Sequence, residues 1–246
     1  APSDWRHSTM GKFVEKGQLT ADEREAALSR VSPTLTLDAA SGSDLVIEAI
    51  FEDKALKQEV FRELDHRCRP DTILCSNTSA IPITELARVT ARPDRVVGTH
   101  FFSPVPLMHL CELVCGLETS EETLVATKTF VESLGKETIT VKRDVAGFAL
   151  NRINLPSTIE AIRLVEAGVA TPDDIDRGMR VGMGWRMGPF ETMDMTGLDV
   201  TLAAMLVIYE ETKDAYLWPP DLLRRKVAAG HLGRKTGRGW YVYEER

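Results

Sequence analysis

The sequence predicts an α/β N-terminal domain with a mostly parallel sheet, followed by an all-α C-terminal domain. Two observations indicate this fold class. Short apolar segments alternate with helical patterns through the first part of the chain, which is the order of parallel βαβ units. From Gly147 onward the pattern is almost wholly helical. We therefore expect one domain at residues 1–145 and a second, helical domain at residues 146–246.

Five short apolar segments predict the strands of the sheet. The stretch "DKALKQEVFRELDHRC" between the first two segments carries Leu56, Val60, Phe61 and Leu64 at helical spacing. This spacing predicts a helix that crosses from one parallel strand to the next. The predicted strands are 44–50, 71–77, 94–101, 109–114 and 136–142.

Capping residues mark two further helix starts. Thr119 and Glu122 have the spacing of a capping box, which predicts a helix that runs through about Leu134. Thr171 followed by Pro172 places a capping hydroxyl before a proline in the first turn. The second pair predicts a helix start within the helical domain.

Composition narrows the class of protein. The net charge of −7 argues against nucleic-acid binding, because such proteins carry a basic excess or a basic stripe. No apolar run approaches about 18 residues, so we expect no membrane span, and the start lacks the apolar segment of a signal peptide. The four cysteines lack the paired spacing of a zinc site. Reduced thiols, no metal and a cytoplasmic or other reducing compartment are therefore expected.

The stretch "HFFSPVPLMHLCELVC" (100–115) raises the first question of chemistry. It opens with His100 at the end of a predicted strand and carries Glu112 among apolar residues on the next strand. A buried carboxylate needs a partner, and His100 is the natural candidate. Taken alone, such a histidine is more often structural than catalytic. Ser79 alone is equally a candidate cap for a helix at 82–90.

Four stretches in order carry a resemblance to a known family. The chain closely resembles the 3-hydroxyacyl-CoA dehydrogenases, especially the short bacterial 3-hydroxybutyryl-CoA type, from about Gly11 to Tyr243. The stretches are "SNTSAIPITELA", "THFFSPVPLMHLCELV", "GFALNRINLPSTIEAIRLVEAG" and "GMGWRMGPFETMDMTGLDV", and the ending "GHLGRKTGRGWYVY" also matches. The resemblance implies an oxidoreductase that interconverts L-3-hydroxyacyl-CoA and 3-oxoacyl-CoA with NAD(H), in fatty-acid or butyrate metabolism.

The resemblance also implies catalytic roles. Oxidation of a secondary alcohol needs a base for the hydroxyl proton while a hydride leaves for the nicotinamide. His100 matches the family's base, and Glu112 matches the carboxylate that orients it, as in a catalytic triad. Ser79 and Asn151 match the two polar residues that contact the reacting oxygen, and Ser79 also borders the cofactor. The substrate is expected between the two domains.

Further residues are implied for the cofactor and for CoA. Glu52 and Lys57 match residues near the cofactor ribose, and Lys235 matches a cofactor residue of the C-terminal segment. Lys16 matches a lysine that approaches the CoA moiety. Ser103 stands where the family usually has an asparagine that assists nicotinamide binding. The shorter hydroxyl is expected either to weaken that contact or to place a water in it.

One family feature is not found. A dinucleotide-binding fold begins with a strand and a G-x-G-x-x-G turn at a helix start. The stretch "GMGWRMG" (182–188) has its third glycine one residue late and lies in the helical part. We therefore expect residues 1–145 to be an incomplete NAD-binding Rossmann-like domain. A shortened longer parent, a proteolysed chain and a natural remnant are the three explanations. NADP stays possible, because the acid that reads the ribose belongs to the segment not found.

Two alternatives to the main interpretation stay open. A related sugar-acid dehydrogenase of the gulonate type shares this architecture. A non-catalytic dimer that binds acyl-CoA without nicotinamide would explain the unmatched glycine fingerprint. The resemblance implies a homodimer through the helical domain, and apolar stretches such as "LAAMLVIYEETKD" supply the surface that a second subunit would bury.

Overall fold

A computed structural model describes the backbone of residues 4–243 and the side chains of residues 10–243. The chain divides into two compact units, residues 1–39 and 40–246. The boundary expected near residue 145 lies within the second unit and stays a prediction.

The first unit contains two helices. They are α1 (Asp4–Glu15) and α2 (Ala21–Leu28). Thr20 caps α2, because its side chain accepts from the N–H of Glu23 while the Glu23 carboxylate accepts from the N–H of Thr20. This reciprocal capping box satisfies two of the free N–H groups at the helix start. Lys16 is exposed in the turn after α1.

The second unit begins with a five-stranded sheet of order β1-β2-β3-β4-β5. Only the β3–β4 pair is antiparallel, so the expected mostly parallel sheet is confirmed. Apolar residues on one face pack against α3 and α4, and those on the other face include residues packed against α5. The elements are β1 (Leu45–Glu48), α3 (Lys54–Arg67), β2 (Ile73–Ser76), α4 (Ile83–Ala87), β3 (Val96–Phe101), β4 (Leu110–Cys115), α5 (Glu121–Ser133) and β5 (Glu137–Val141).

The start of α5 differs from the prediction. Ser120, not Thr119, is the N-cap, and its hydroxyl accepts from the N–H of Thr123. The hydroxyl of Thr119 is already used, since it donates to the carbonyl of Val96 and accepts from the N–H of Gly116. The expected capping box of Thr119 is therefore wrong by one residue, because Thr119 ties the loop to β3 instead.

The helical part follows, as predicted. Its helices are α6 (Leu150–Glu166), α7 (Pro172–Met183), α8 (Pro189–Thr196), α9 (Leu198–Thr212) and α10 (Asp221–Ala228). Thr171 caps α7 by accepting from the N–H of Asp174, which confirms that helix start. No single helix within residues 4–243 is both long and apolar enough to cross a membrane, while the bent pair α8 and α9 passes by length and composition alone.

Two buried carboxylates fix the C-terminal segment to the helices. Asp194, which is 1% exposed, accepts from the N–H groups of Trp240 and Tyr241 and from the hydroxyl of Tyr243. Asp176 is fully buried and accepts from the hydroxyl of Tyr241. Buried charges need such donors, and these bonds attach residues 240–243 to α7 and α8.

Candidate active site

Three neighbouring strands end at one edge of the sheet, and predicted site residues lie there. Since β1, β2 and β3 are parallel, their carboxyl ends lie side by side. Glu52 follows β1, Ser79 follows β2, and His100 is the next-to-last residue of β3. Open α/β sheets bind ligands outside the carboxyl ends of their strands. The fold therefore gathers these three side chains at the edge where a ligand is expected.

His100 and Glu112 form a buried pair. They are direct cross-strand partners in the antiparallel β3–β4 pair, with His100 Nδ1 lying 2.7 Å from Glu112 Oε2. His100 is 5% exposed and Glu112 is 0% exposed. With the carboxylate as acceptor, Nδ1 carries the hydrogen and Nε2 is left to exchange a proton. The predicted pairing is therefore present in the structure.

The second oxygen of Glu112 holds the start of α6. Oε1 accepts from the N–H groups of Ala149 and Leu150, at 3.3 and 3.1 Å. Ala149 is the N-cap position of α6 and provides no side-chain cap of its own. The carboxylate thus satisfies two N–H groups at the positive end of the helix dipole. Glu112 therefore connects His100 in the sheet to the helix that carries Asn151.

Asn151 and Ser79 are brought together by a hydrogen bond. The side-chain Nδ2 of Asn151 donates to the backbone carbonyl of Ser79 at 3.1 Å. Both residues are partly exposed. The bond uses one donor of the Asn151 amide, so the remaining donor and the amide oxygen have capacity for another partner. The two residues predicted to contact the substrate oxygen thus lie beside each other.

Aromatic rings enclose His100. The ring centroids of Phe102 and Phe148 lie 4.5 and 5.8 Å from that of the imidazole. Phe148 is 1% exposed and has a φ of 51°, next to Gly147 with a φ of 76°. A left-handed phenylalanine is uncommon and costs conformational energy. This backbone turn places the Phe148 ring in the sheet core while the chain enters α6.

Glu52 and Lys57 belong to a buried ionic network. The Lys57 side chain is 1% exposed, and its Nζ lies 2.7 Å from Glu48 Oε1 and 3.5 Å from Glu52 Oε2. The Glu52 side chain is 26% exposed, and its Oε1 accepts from the N–H of Ser79 at 2.9 Å. Lys57 thus contacts Glu52 beneath the surface, and Glu52 reaches the turn that carries Ser79.

Two further predicted binding residues, Ser103 and Lys235, are exposed. Ser103 is exposed in the segment after β3. Lys235 is exposed and its Nζ lies 2.6 and 2.7 Å from the carboxylate oxygens of Asp199. Burial opposes ionisation of Asp199, yet the hydrogen bond and charge of Lys235 bring the pKa of this carboxyl below its usual value. Lys16 belongs to the first unit, so its role toward CoA stays a prediction.

A cleft of about 260 Å³ adjoins Glu52. One wall comes from the α/β part through Glu52, Ile81 and Pro82, and the other comes from α9 through Leu206 and Val207. A cleft between the sheet part and the helical part is where the sequence places the substrate. Lys54, Glu210 and Glu211 line this cleft as well, whereas His100, Ser79 and Asn151 are not among its lining residues, so its use by the substrate stays a prediction.

The four cysteine thiols lie in buried or partly buried positions. Cys68, Cys75 and Cys111 are buried and Cys115 is partly buried, and all four are free. Burial, with the nearby charge of Glu112, raises the pKa of Cys111 to about 12. Among the side chains of residues 10–243, no group of three or more histidine, cysteine or acidic residues has the arrangement of a metal site.

Sequence reasoning missed three residues of this site. Glu48 looked like one acidic residue in a short strand, although it anchors Lys57. Phe102 and Phe148 looked like ordinary apolar residues, although both rings lie against His100. The available signal for Phe148 was the preceding Gly147, because a glycine readily adopts a positive φ and so permits an unusual backbone turn.

Two family models match almost the whole chain. Residues 3–145 match "3-hydroxyacyl-CoA dehydrogenase, NAD binding domain", and residues 147–243 match "3-hydroxyacyl-CoA dehydrogenase, C-terminal domain".

Individual proteins agree with these matches. A probable 3-hydroxybutyryl-CoA dehydrogenase of Bacillus subtilis is 47% identical over 96% of this chain and 82% of its own length. The crystal structure of FadB2 of M. tuberculosis is similar with a TM-score of 0.93, 42% identity, and coverage of 96% of this chain and 84% of that one. The structure of (S)-3-hydroxybutyryl-CoA dehydrogenase PaaH1 of Ralstonia eutropha has a TM-score of 0.88, 43% identity, and coverage of 97% and 84%.

The described residues fit one end of NAD. The partly exposed carboxylate of Glu52, beside the Ser79 turn, can accept from ribose hydroxyls at the carboxyl end of the strands. A glycine-rich turn for the pyrophosphate, of the form G-x-G-x-x-G, does not occur in the 246-residue sequence. The described residues therefore offer an acceptor for a ribose of the cofactor.

Proposed function

We propose that this chain, which belongs to the 3-hydroxyacyl-CoA dehydrogenase family, interconverts L-3-hydroxybutyryl-CoA and acetoacetyl-CoA with NAD(H). The observation that carries the proposal is the buried His100–Glu112 pair at the carboxyl edge of the sheet. The reported relatives with 3-hydroxybutyryl-CoA names support the acyl-CoA branch over a sugar-acid dehydrogenase of the gulonate type.

His100 is the proton-transfer residue. In the oxidation, Nε2 takes the proton of the substrate hydroxyl, and in the reduction it returns that proton to the 3-oxo oxygen. Bound NAD supplies the acceptor for the hydride that leaves the same carbon. The carboxylate of Glu112, 2.7 Å from Nδ1, fixes the tautomer and stabilises the imidazolium as it forms.

Ser79 and Asn151 hold the reacting oxygen. They lie beside each other through the bond from Asn151 to the Ser79 carbonyl. A hydroxyl and an amide can both donate to the oxygen as negative charge grows on it during reduction. Because Asn151 sits in the first turn of α6, next to the N–H groups held by Glu112, the carboxylate aligns the base and this donor together.

The binding residues are proposed with the family pattern as support. The cofactor residues are Glu52, Lys57, Ser103 and Lys235. Lys57 acts through its contact with Glu52, because its own side chain is only 1% exposed. Lys16 is the residue for CoA. Ser103 carries a shorter side chain than the asparagine of the family, so a water between its hydroxyl and the nicotinamide amide would complete the contact.

The helical part is proposed to form the homodimer. Exposed apolar side chains there support it: Ile153 is 71% exposed, Val181 82% and Met183 68%. A second subunit would remove this surface from water. Sedimentation of the chain should give twice the mass of one chain, and a monomer at micromolar concentration would count against the dimer. The free thiols support a reducing compartment such as the cytoplasm.

A comparison of two histidine variants tests the role of His100. We expect His100→Ala to lower the turnover of acetoacetyl-CoA by roughly a hundredfold or more, the usual scale for the loss of a general acid–base group. His109→Ala is the matched control, because His109 is exposed on the adjacent segment, and its turnover should stay at the wild-type level. Equal turnover of His100→Ala and wild type would remove His100 from the reaction.

A further inference from the structure

We propose that Glu48 is a positioning residue that fixes the turn carrying Ser79 by neutralising Lys57. Its value to the reaction rests on the proposed function, because Ser79 is the substrate contact that this turn presents. The positioning itself does not depend on turnover, because it follows from the charges and bonds of residues 48–80.

Glu48 is anchored in the sheet. It is the last residue of β1, is 4% exposed, and pairs in register with Ser76 of β2. Its Oε2 accepts from the hydroxyl of Ser76 at 2.7 Å, and its Oε1 accepts from the N–H of Ile50 at 2.6 Å. Two adjacent strands and the following loop therefore hold this carboxylate in place.

Lys57 connects this anchored carboxylate to a second one. Its Nζ donates to Glu48 Oε1 at 2.7 Å and to the carbonyl of Ile50 at 3.2 Å, and lies 3.5 Å from Glu52 Oε2. A cation that is 1% exposed needs a partner charge, because water cannot solvate it. The shorter contact with Glu48 supplies that charge, so Glu52 is only lightly held by the lysine.

Glu52 is then available to bind the turn after β2. Its Oε1 accepts from the hydroxyl of Thr78 at 2.5 Å and from the N–H groups of Ser79 and Ala80 at 2.9 and 3.2 Å. These three bonds fix the position of the turn that carries Ser79. The side chain of Asn151, in α6, also donates to the Ser79 carbonyl. The conformation of the turn thus depends on where the Glu52 carboxylate lies.

Removal of the Glu48 charge should therefore disturb Ser79 from a distance. Glu48→Gln keeps the size of the side chain and one acceptor oxygen, but it replaces the other oxygen with an amide donor. It also leaves Lys57 with Glu52 as its sole carboxylate partner in the network. Attraction between opposite charges is strong where water is excluded. Glu52 should move toward Lys57, and the N–H of Ser79 should lose its acceptor, while the N–H of Ala80 should keep only its longer bond of 3.3 Å to the Thr78 hydroxyl.

Amide hydrogen exchange of the full chain, followed by NMR, reads this effect without any turnover. We expect the Ser79 and Ala80 amides to exchange ~10-fold or more faster in Glu48→Gln than in wild type, through local opening, with β4 amides unchanged. Glu85→Gln is the matched control. It removes the carboxylate of the neighbouring surface pair with Lys54, at 2.9 Å, and should leave both amides unchanged.

A double variant separates positioning from a general loss of stability. Glu48→Gln/Lys57→Met removes both charges, so nothing draws Glu52 from the turn, and exchange at Ser79 and Ala80 should return to within about threefold of wild type. This variant also carries the test if Glu48→Gln does not fold. Unchanged exchange in Glu48→Gln, a uniform increase over all amides, or fast exchange of the turn in the double variant would each overturn the proposal. A wild-type chain that fails to oxidise NADH would overturn the proposed function and leave this test standing.

Discussion

The Glu112 carboxylate both pairs with His100 and caps the start of α6, and we call this its double use. It predicts different outcomes for two substitutions of Glu112. Glu112→Ala removes the acceptor from two N–H groups at the start of α6 and from Nδ1 of His100. The loss of a helix cap costs about 1 kcal/mol. A buried donor without a partner costs about 2 kcal/mol more, because His100 is 5% exposed and cannot turn to water. We therefore expect a loss of about 3 kcal/mol in the free energy of unfolding.

Glu112→Gln should behave differently. The amide oxygen can still accept from the N–H groups of Ala149 and Leu150, and the amide nitrogen can donate to His100 Nδ1. The cost in stability should then be about 1 kcal/mol. The imidazole would, however, carry its hydrogen on Nε2, which is the wrong tautomer for a base. We therefore expect Glu112→Gln to be almost as stable as wild type but to have a strongly reduced turnover.

Guanidinium unfolding, followed by tryptophan fluorescence and by circular dichroism, measures both variants. Comparison of the midpoints at an unchanged slope gives the differences in free energy. Glu118→Ala, an exposed residue after β4, is the control and should lie within about 0.5 kcal/mol of wild type. A loss below about 1 kcal/mol for Glu112→Ala, or equal losses for the two Glu112 variants, would refute the double use of this carboxylate.

Two further predictions concern the C-terminal segment. Gly233 has a φ of 97°, and a Cβ there would overlap the backbone of Asp194. We expect Gly233→Ala to lower the free energy of unfolding by about 3 kcal/mol or more. Gly230→Ala, whose Cβ would meet open space, should lower it by only about 1 kcal/mol. Equal unfolding midpoints of the two variants would contradict this expectation. Burial, and the bond from its hydroxyl to Asp194, raise the pKa of Tyr243 from 10.0 to about 12. Because the folded state holds this proton more tightly, the bond should stabilise the protein below pH 10 and the effect should disappear as the pH rises to about 12. The stability advantage of wild type over Tyr243→Phe should shrink over that range in unfolding measurements, and a constant advantage would argue against it.

Much of the fold follows from the sequence because it depends on local patterns. The apolar strand segments and the helical spacing of α3 predict the α/β part, because each strand or helix must bury its apolar residues on one face or both. The start of α5 was misplaced, because Thr119 and Ser120 are both capping residues and only the tertiary bond of Thr119 to Val96 decides between them. Such a long-range contact has no local signal.

The site was predictable where chemistry restricts the residue type. His100 and Glu112 follow from the need of a buried carboxylate for a partner, and register then makes them opposite neighbours. The support beneath the site was not predictable. The burial of Lys57, the anchoring role of Glu48 and the left-handed backbone of Phe148 depend on how strands and helices pack, which the spacing along the chain does not reveal.

The loss of NADH absorbance on addition of acetoacetyl-CoA to the 246-residue chain tests the central claim most directly. If this chain carries out the reaction of its family at His100, the absorbance should fall steadily, at a rate proportional to the protein concentration. A chain that binds acetoacetyl-CoA but leaves the NADH absorbance constant would contradict the claim. That result would instead favour a dimer that binds acyl-CoA without catalysis.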